Sequence, residues 1–330
     1  MQTYLNQTGV PLSVAVYLAT DHYDHDPKAV SATALIKPVR QQILSRRVPQ
    51  ELNKVDVVNL VKSRLGTSIH DGVEKAWTGD HYKRAMLALG YPESVISRIV
   101  VNPDPATVKP EQIPVYMEQR LYREFMGRLI SGKFDFIAEG GLEDFKSTST
   151  FTWTSGTKEE DYKLQGSIYR WLDAVSPYPR ITKDHMTIQF FFTDWMANRA
   201  KTDKSYPQRQ VEPLTIPLLS VDDTQDYVAS KLTQFAQYKD SPEDQLPRCS
   251  DKDLWRKDPV WKYYRDPAKR TKSTKNFDNS AEAYARLSKD GGKGVVVEVP
   301  GEVVACKYCP AFPICTQKDE LLADGSLKLN

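Results

Sequence analysis

Two aspartates and a lysine fall close together in the segment 132–146, GKFDFIAEGGLEDFK. Asp144 and Lys146 are two residues apart, so on a β-strand their side chains leave the same face. The dipeptide Gly140-Gly141 predicts a hairpin turn that brings Asp135 across from them. Two carboxylates and an ammonium on one sheet face are costly to bury unless a metal ion and an anionic substrate share it. The segment therefore predicts a metal-assisted site, with solvated surface charges as the alternative.

The elements before this hairpin are predicted to complete a small sheet and a helix. Residues 115–125 are expected to form a strand that joins the hairpin in a three-stranded meander, with the first turn at Ser131-Gly132. Apolar residues at helical spacing predict a helix over 51–77. His70 and Glu74 lie four residues apart on one face of that helix. This pair could bind or orient a metal ion, and a local hydrogen bond is the plainer alternative.

The elements after the hairpin are predicted to be a loop, a helix and a linker. Residues 147–155 are rich in hydroxyl groups, which suits a loop that contacts phosphates or sugars, or a plain solvated loop. Residues 159–175 predict an amphipathic helix, with Gln165 and Tyr169 four apart on one face. Residues 201–217 are polar and contain three prolines, which predicts a linker or long loop.

Composition places the chain among globular proteins. It has 330 residues, of which 40% are hydrophobic and 27% charged. The net charge of +2 means that any affinity for nucleic acid must come from local clusters of charge. No run of about 18 apolar residues predicts a membrane span, and the N-terminus lacks a secretory pattern, so a cytoplasmic protein is expected. The histidine-containing turn 21–26 is expected to be an acidic loop rather than a metal site.

The character of the chain changes after residue 240, which predicts a core domain over 1–240 and a basic, aromatic subdomain over 241–330. In residues 255–275 lysines and arginines interleave with aromatic rings. Phosphates attract cations and bases stack on rings, so this mixture suits a nucleic-acid strand, with a solvated basic hairpin as the alternative. The residues predicted to contact DNA are Arg256, Lys257, Trp261, Lys262, Tyr263 and Tyr264.

The four cysteines also suggest a metal site. Cys306, Cys309 and Cys315 form a C-x2-C-x5-C run, and Cys249 supplies a distant fourth thiol. Four soft ligands with none left over, in a reducing compartment, predict zinc or an iron–sulfur cluster. The spacing fits an iron–sulfur cluster somewhat better than a common zinc ribbon. Free buried thiols are the alternative.

Five motifs, taken in chain order, resemble those of the PD-(D/E)XK nuclease superfamily and its RecB-like exonuclease branch, which includes phage-encoded forms and the exonucleases of CRISPR adaptation. The resemblance covers roughly residues 30–195 and, more loosely, the cysteine tail. The motifs are Ser31-Ala-Thr-Ala-Leu35, His70-Asp-Gly-Val-Glu74, Gly132-Lys-Phe-Asp135, Glu143-Asp144-Phe-Lys146 and Gln165-Gly-Ser-Ile-Tyr169. The implied fold is α/β, a restriction-endonuclease-like core with a mixed central sheet flanked by helices, plus a small C-terminal metal- or cluster-binding subdomain.

The resemblance implies a Mg²⁺- or Mn²⁺-dependent DNA exonuclease with little sequence specificity, acting in phage DNA recombination, replication or repair. The implied metal ligands are His70, Asp135, Asp144 and the carbonyl group of Phe145, with Glu74 orienting them. The implied catalytic residues are Asp135, Asp144, Lys146, Gln165 and Tyr169. In this scheme Lys146 orients or deprotonates the attacking water, and the glutamine and tyrosine position Lys146 or the DNA backbone. The implied cofactors are Mg²⁺ or Mn²⁺ and a [4Fe-4S] cluster, with Zn²⁺ as the alternative to the cluster.

The chain departs from the family pattern at its cysteines and in the compact gap from Asp135 to Asp144, and two competing functions stay open. Cluster-bearing relatives usually carry one cysteine ahead of the core, whereas Cys249 follows it, so the tail is expected to build its site alone. The competing functions are a catalytically inactive module that binds DNA ends and a structure-specific endonuclease of the same fold. DNA is the expected partner, with a recombinase or a single-strand-binding protein as candidate protein partners and no membrane. A phage-encoded form would act in the host cytoplasm.

Overall fold

The computed structural model describes residues 3–20 and 26–329, so most of the predicted turn 21–26, including both of its histidines, lies outside the described residues. The chain divides into two compact units. The sheet unit comprises residues 3–20, 26–36 and 54–233, and the cysteine unit comprises 37–53 and 234–329. Within the described part of the chain, no helix combines the length and apolarity that crossing a membrane would require.

The strands are β1 Thr3–Leu5, β2 Val30–Ser31, β3 Lys54–Asp56, β4 Ile99–Val101, β5 Ile113–Phe125, β6 Arg128–Ala138, β7 Gly141–Thr148, β8 His185–Phe192, β9 Val211–Pro217, β10 Val260–Tyr264, β11 Lys275–Phe277 and β12 Val295–Val299. The α-helices are α1 Leu12–Ala19, α2 Ala32–Ile36, α3 Val39–Arg47, α4 Val61–Thr78, α5 His81–Ala88, α6 Glu93–Ile96, α7 Thr150–Ser155, α8 Glu159–Asp173, α9 Ala197–Thr202, α10 Val221–Tyr238, α11 Ser280–Lys289 and α12 Thr316–Ala323.

The sheet unit contains a mixed sheet in the order β4-β5-β6-β7-β8-β9. Strands β5, β6 and β7 form the predicted antiparallel meander, β7 pairs with β8 in parallel, and β9 closes the sheet as an antiparallel edge. The β6–β7 ladder stops at the pair Phe136 and Glu143. Beyond that point β2 pairs in parallel with β6 at Ile130 and Ser131. The sheet therefore forks between β6 and β7.

Helices cover both faces of this sheet, as the predicted architecture requires. On one face Trp171 and Leu172 of α8 belong to the largest apolar cluster, together with Phe134, Ile188 and other strand residues. On the other face Trp77 of α4 belongs to a second cluster, with Tyr82 and Met86 of α5 packed beside it. The two helical layers enclose the fork from opposite sides.

The alternation of side chains along β5 and β6 changes partway along both strands. On β5, Met117 packs in the α4-side cluster and Leu121 in the α8-side cluster, although a regular strand would place both on one face. On β6, Phe134 and Phe136 differ in the same way. The change falls at Glu118, whose φ of 51° lies in the left-handed region.

Both turns of the meander lie elsewhere than predicted. The first is at Met126-Gly127, and Ser131-Gly132 lies inside β6. The second is at Glu139-Gly140, one residue before the predicted position. All four turn residues have positive φ, as two-residue turns that match the strand twist require, and each turn has glycine second.

Three predicted segments also differ from the structure, because contacts distant in sequence decide them. The predicted helix over 51–77 begins only at Val61, since residues 54–56 pair with β1. The predicted loop 147–155 contains α7, whose Thr150 N–H donates to Asp194 Oδ1 at 2.7 Å. The predicted linker 201–217 ends in β9, where an edge position tolerates proline.

The cysteine unit contains a small antiparallel sheet in which β10 lies between β11 and β12. Tyr263 of β10 and Ala283 of α11 pack together in its apolar cluster. A second cluster joins Ile43 and Leu44 of α3 to Leu246 and Ala311. Residues 37–53 therefore belong with the C-terminal unit, which begins at 234 and not at the predicted 241.

Candidate functional site

The fork in the sheet positions the two predicted aspartates. Extending the register of Phe136 and Glu143 by one step sets Asp135 opposite Asp144. Asp144 is fully buried, and Asp135 is 8% exposed. Because the ladder has ended there, Asp135 Oδ2 accepts the N–H of Phe145 at 2.7 Å. A carboxylate thus takes the place of a backbone carbonyl group and is held rigidly at the opening.

Helix α8 and the lysine fix the two oxygens of Asp144. Its Oδ2 lies 2.5 Å from Lys146 Nζ, and its Oδ1 accepts from Gln165 Nε2 at 3.4 Å. The same amide nitrogen donates to Tyr169 Oη at 2.7 Å. A Cβ at Gly132 would come within 2.7 Å of the Tyr169 ring, so glycine lets α8 approach β6 this closely. The predicted glutamine and tyrosine therefore contact Asp144 and each other.

Helix α4 brings His70 to the same opening from the other side. Its Nε2 lies 3.1 Å from the carbonyl oxygen of Phe145. Its Nδ1 lies 3.3 Å from Glu118 Oε1 and 3.6 Å from Asp135 Oδ1. The structure thus brings together His70, Asp135 and the Phe145 carbonyl group, as the resemblance implied.

Glu118 is a site residue that the sequence analysis missed. Ligand atoms of His70, Glu118 and Asp135 all lie within 4.8 Å of one another. The other oxygen of Glu118 pairs with Lys133 Nζ at 2.7 Å. The left-handed backbone of Glu118 costs about 1–2 kcal/mol in a non-glycine residue. The available signal was a glutamate inside a predicted strand, but regular alternation would not have located its side chain.

Burial and crowded charge shift the pKa values of the central groups. Burial, and then the charge of Asp144, raises the pKa of Asp135 to about 7. Burial would lower the pKa of Lys146, but the carboxylates of Asp144 and Asp135 outweigh it and raise this pKa. The raised pKa of Asp135 indicates that the Lys146 ammonium alone does not offset the charges of the Asp135 and Asp144 carboxylates.

The contact between His70 and Glu118 raises the pKa of the histidine and lowers the pKa of the glutamate. Burial would lower the pKa of His70, but the hydrogen bond to Glu118 and the charge of Asp135 raise it overall. Burial would raise the pKa of Glu118, yet its bonds to His70 and Lys133 lower it overall. Glu118 is therefore held as a carboxylate at neutral pH.

The donor set fits a divalent cation. Asp144 Oδ2 is buried and accepts no well-directed hydrogen bond from the described residues, although the Lys146 ammonium is close. Carboxylates, a backbone carbonyl group and one imidazole suit Mg²⁺ or Mn²⁺ better than a soft metal. Among these groups Asp135, Glu118 and His70 already lie within reach of one ion.

A cleft of about 570 Å³ opens over this site. It is lined by the predicted residues His70, Asp135, Phe145, Lys146, Gln165 and Tyr169. Ser31 and Thr33 of the first motif also face it, with the cations Lys62, Arg120 and Lys133. Glu74, predicted to orient the metal ligands, is not among the described residues that line the cleft. Its role stays a prediction.

The four cysteines lie near one another in the cysteine unit. Burial, then the charges of Asp253, Cys315 and Cys309, raises the pKa of Cys249 to about 12. Burial, then Cys309 and Cys315, raises the pKa of Cys306 to about 11. Cys249 and Cys306 thus each sense Cys309 and Cys315, and a metal would be needed to hold Cys249 and Cys306 as thiolates.

The Gln317 side chain of α12 fixes the distant cysteine, Cys249. Gln317 is 4% exposed, and its Oε1 accepts the Cys249 N–H at 2.9 Å while its Nε2 donates to the Cys249 carbonyl oxygen at 3.0 Å. Among the described residues no three cysteine sulfurs lie within 4.8 Å of one another.

The residues predicted to contact DNA divide into paired cations and packed rings. Arg256 Nε lies 2.6 Å from Asp251, and Lys257 Nζ lies 2.7 Å from Glu302. Tyr263 is fully buried and donates to Asp290 Oδ2 at 2.8 Å.

Tyr264 is 8% exposed, so it and Tyr263 offer no open ring face to a base, which corrects the expectation that both stack on one. These rings instead belong to the interior of the small sheet. Trp261 is partly buried against the same cluster, and Lys262 is half-buried on β10. DNA contact by Arg256, Lys257, Trp261 and Lys262 stays a prediction.

No protein-family model matches the chain, and no curated protein matches it. Among solved structures, the protein SSO0001 superposes with a TM-score of 0.38 and 13% sequence identity, over 64% of this chain and 78% of that one. A phage-related exonuclease from Haemophilus somnus 129PT superposes with a TM-score of 0.25 and 15% identity, over 48% of this chain and 81% of that one. Both likenesses are partial, so function is inferred from the site itself.

Proposed function

We propose that the protein is a metal-dependent deoxyribonuclease that hydrolyses phosphodiester bonds, acting as an exonuclease. The observation that carries this proposal is the convergence of Asp135, Asp144, Lys146 and His70 at the fork of the sheet. Phosphodiester hydrolysis needs an activated water, neutralised phosphoryl oxygens and a stabilised leaving oxygen. A rigid group of carboxylates beside an ammonium is suited to these needs once a cation joins it.

The residues around the proposed cation have separable roles. Asp135, Glu118, His70 and the Phe145 carbonyl group would hold it, with Asp144 completing the set. When bound, a divalent cation lowers the pKa of water and draws charge from the phosphoryl oxygens.

Because its pKa is raised, Lys146 is an ammonium at neutral pH, so in this scheme it orients the water and offsets charge in the transition state and does not deprotonate the water. Gln165 orients the Asp144 carboxylate by donating a hydrogen bond to its Oδ1, and Tyr169 accepts a hydrogen bond from the same amide. Both are positioning residues for the aspartate in this scheme.

The cleft supports DNA as the substrate. Lys62, Arg120 and Lys133 bring cations to its wall, and Ser31 and Thr33 bring hydroxyl groups. These groups suit phosphates and sugars, which carry no sequence information, so little sequence specificity is expected. A role in phage DNA recombination, replication or repair, with a recombinase or single-strand-binding partner, belongs to the same proposal.

The decisive experiment compares linear and covalently closed circular DNA in Mg²⁺ or Mn²⁺, with EDTA as the control. An exonuclease degrades the linear DNA and spares the circle. Cleavage of the circle would replace the proposal with an endonuclease of the same site. Binding of DNA ends without any hydrolysis in either metal would leave an inactive end-binding module.

We further propose that Cys249, Cys306, Cys309 and Cys315 hold a [4Fe-4S] cluster, with zinc as the alternative. The support is the mutual proximity of these thiols in one unit, together with the C-x2-C-x5-C spacing of three of them. Protein purified without air should be brown and absorb near about 400 nm, with iron and sulfide in equal amounts. Colourless protein with one zinc per chain would establish the alternative, and protein with neither metal would refute the site.

A further inference from the structure

Arg40 is a buried cation in the cysteine unit with no part in the proposed nuclease chemistry. It lies on α3 and is only 4% exposed. A guanidinium has five N–H donors in a fixed plane. Two donate to the carbonyl oxygens of Glu243 and Leu246, at 3.2 and 3.3 Å. Two more, on Nη2, face Thr316 Oγ1 and the carboxylate of Glu243.

The fifth donor of Arg40 points at a cysteine. Its Nε lies 3.4 Å from Cys315 Sγ, which is an ordinary length for an N–H···S hydrogen bond. A neutral thiol is a poor acceptor, whereas a metal-bound thiolate is a good one. All five donors of Arg40 are therefore satisfied only if Cys315 accepts a hydrogen bond. A thiolate at Cys315 would serve as this acceptor better than a neutral thiol.

The charge of Arg40 also agrees with a metal-bound thiolate at Cys315. Four thiolates around either a zinc ion or an oxidised [4Fe-4S] cluster leave a net double negative charge. Removing such a dianion from water is costly without a nearby cation. Arg40 also pairs with the carboxylate of Glu243, so its guanidinium lies between that carboxylate and the sulfur of Cys315.

A network fixes the direction of this contact. Glu243 Oε1 accepts the Thr316 N–H at 3.1 Å, immediately after Cys315 in the chain. Arg40 reaches both the carboxylate of Glu243 and the hydroxyl of Thr316. The residue that follows Cys315 is thus fixed by the same Arg40 and Glu243 side chains, which holds the sulfur of Cys315 against the guanidinium.

We propose that Arg40 is a positioning residue of the cysteine site, donating an Nε–H···S hydrogen bond to the Cys315 thiolate and offsetting the charge of the bound metal or cluster. The inference rests on the proposed cysteine site. It gives residues 37–53 a role there without any cysteine of their own. The tail therefore does not build its site alone.

The test uses the full-length protein, purified without air, with three substitutions. Arg40→Lys keeps the charge but loses the planar set of donors, and Arg40→Met loses both. Arg47→Lys is the matched control, since Arg47 lies on the same helix and donates from Nη2 to the Lys239 carbonyl oxygen at 2.8 Å. Iron, sulfide and zinc are measured for each protein, followed by the rate of metal loss to a chelator.

We expect Arg40→Met to lose metal about 10- to 100-fold faster than the parent, with Arg40→Lys in between. The thiolate-to-metal charge-transfer band should shift in both, which a purely structural role would not produce. For a cluster, the reduction potential should fall as the hydrogen bond to sulfur is lost. Arg47→Lys should leave all three readouts unchanged.

Two results would overturn the inference, and they differ in what they leave standing. Parent protein without metal on its cysteines would remove both the site and the role of Arg40. A metal-loaded parent whose Arg40→Lys variant keeps the same band, potential and rate of metal loss would remove only the role of Arg40. Arg40→Lys decides the question if Arg40→Met does not fold. DNA hydrolysis plays no part in this test, so the nuclease proposal stands or falls separately.

Discussion

The carboxylate site and the cysteine site are built by different means. Asp135 and Asp144 lie on adjacent strands, and backbone register sets their separation. The cysteines lie on short loops, and side chains such as Arg40 and Gln317 hold those loops in place. Strand register therefore determines the geometry of the first site. The second needs a ligand to overcome the high pKa values of its thiols.

This difference predicts how each site fails. Changing one side chain on a strand leaves the register intact, so the first site should lose chemistry and keep its fold. Changing a cysteine on the loops should remove the proposed metal, and the second site should then lose stability. The four predictions that follow test this contrast, from the largest expected effect to the smallest.

The largest effect should come from Asp144→Ala or Lys146→Ala. Either change should reduce DNA hydrolysis at least about 100-fold, because it removes a group that acts on the transition state. DNA binding should be largely retained. The measurement is release of acid-soluble nucleotides from linear DNA in Mn²⁺, with a separate binding assay in Ca²⁺.

Glu143→Gln is the matched control for Asp144. Glu143 precedes Asp144 on β7, but its Oε2 accepts from Gln189 Nε2 at 2.8 Å on the opposite face. This variant should keep its activity and its melting temperature. Full activity in Asp144→Ala would refute the site assignment, and a large loss in Glu143→Gln would show that the two faces are not independent.

The next effect should be on stability. Cys309→Ser should lose the bound metal and lower the melting temperature by roughly 10 °C, because metal binding is coupled to folding of the loops. Thermal unfolding of protein purified without air measures it, beside metal analysis of the same sample. An unchanged melting temperature with the metal lost would mean that these loops, like the strands, keep their geometry unaided.

Glu118 allows chemistry and backbone strain to be separated. Glu118→Gln should weaken metal activation about 10- to 100-fold and be rescued by higher Mn²⁺, because one ligand loses its charge. Glu118→Gly should lose activity similarly but be about 1 kcal/mol more stable than the glutamine variant, since glycine adopts positive φ freely. Titrations with metal and urea unfolding provide the two measurements. Equal stability of the two variants would contradict the inference that the left-handed backbone at residue 118 is strained.

The smallest effect should be on DNA affinity. Lys262→Ala should weaken binding a few-fold and reduce the salt slope by about 1 if Lys262 contacts a phosphate. Tyr263→Phe should leave binding unchanged, because the ring is buried and only its bond to Asp290 is lost. Fluorescence anisotropy at several salt concentrations measures both. Weakening by Tyr263→Phe with no effect of Lys262→Ala would reverse the assignment.

Local pattern predicted the meander, α8 and most of the carboxylate site. Asp144, Lys146, Gln165 and Tyr169 all came from spacing within single elements, and the structure joins them. Glu118 was beyond such reasoning, because its left-handed backbone breaks the period of two on which strand faces are assigned.

The remaining differences between the predictions and the structure arise from contacts between segments that are distant in sequence. Nothing in residues 37–53 suggests a cysteine site, since the contact of Arg40 with Cys315 depends on tertiary packing alone. The helical start at Thr150 depends on an acceptor, Asp194, that lies well downstream. Spacing within one segment cannot reveal a partner in another.

The hydrogen bond from the Phe145 amide to Asp135 makes the site observable without turnover. In most strands such an amide reports only on its neighbouring strand, whereas this proton ends on a carboxylate at the centre of the proposed chemistry. Its chemical shift and exchange rate in an NMR spectrum would follow the charge on that carboxylate directly. Adding Mg²⁺ or a nucleotide would then register at one backbone resonance, even in a variant that has lost all activity.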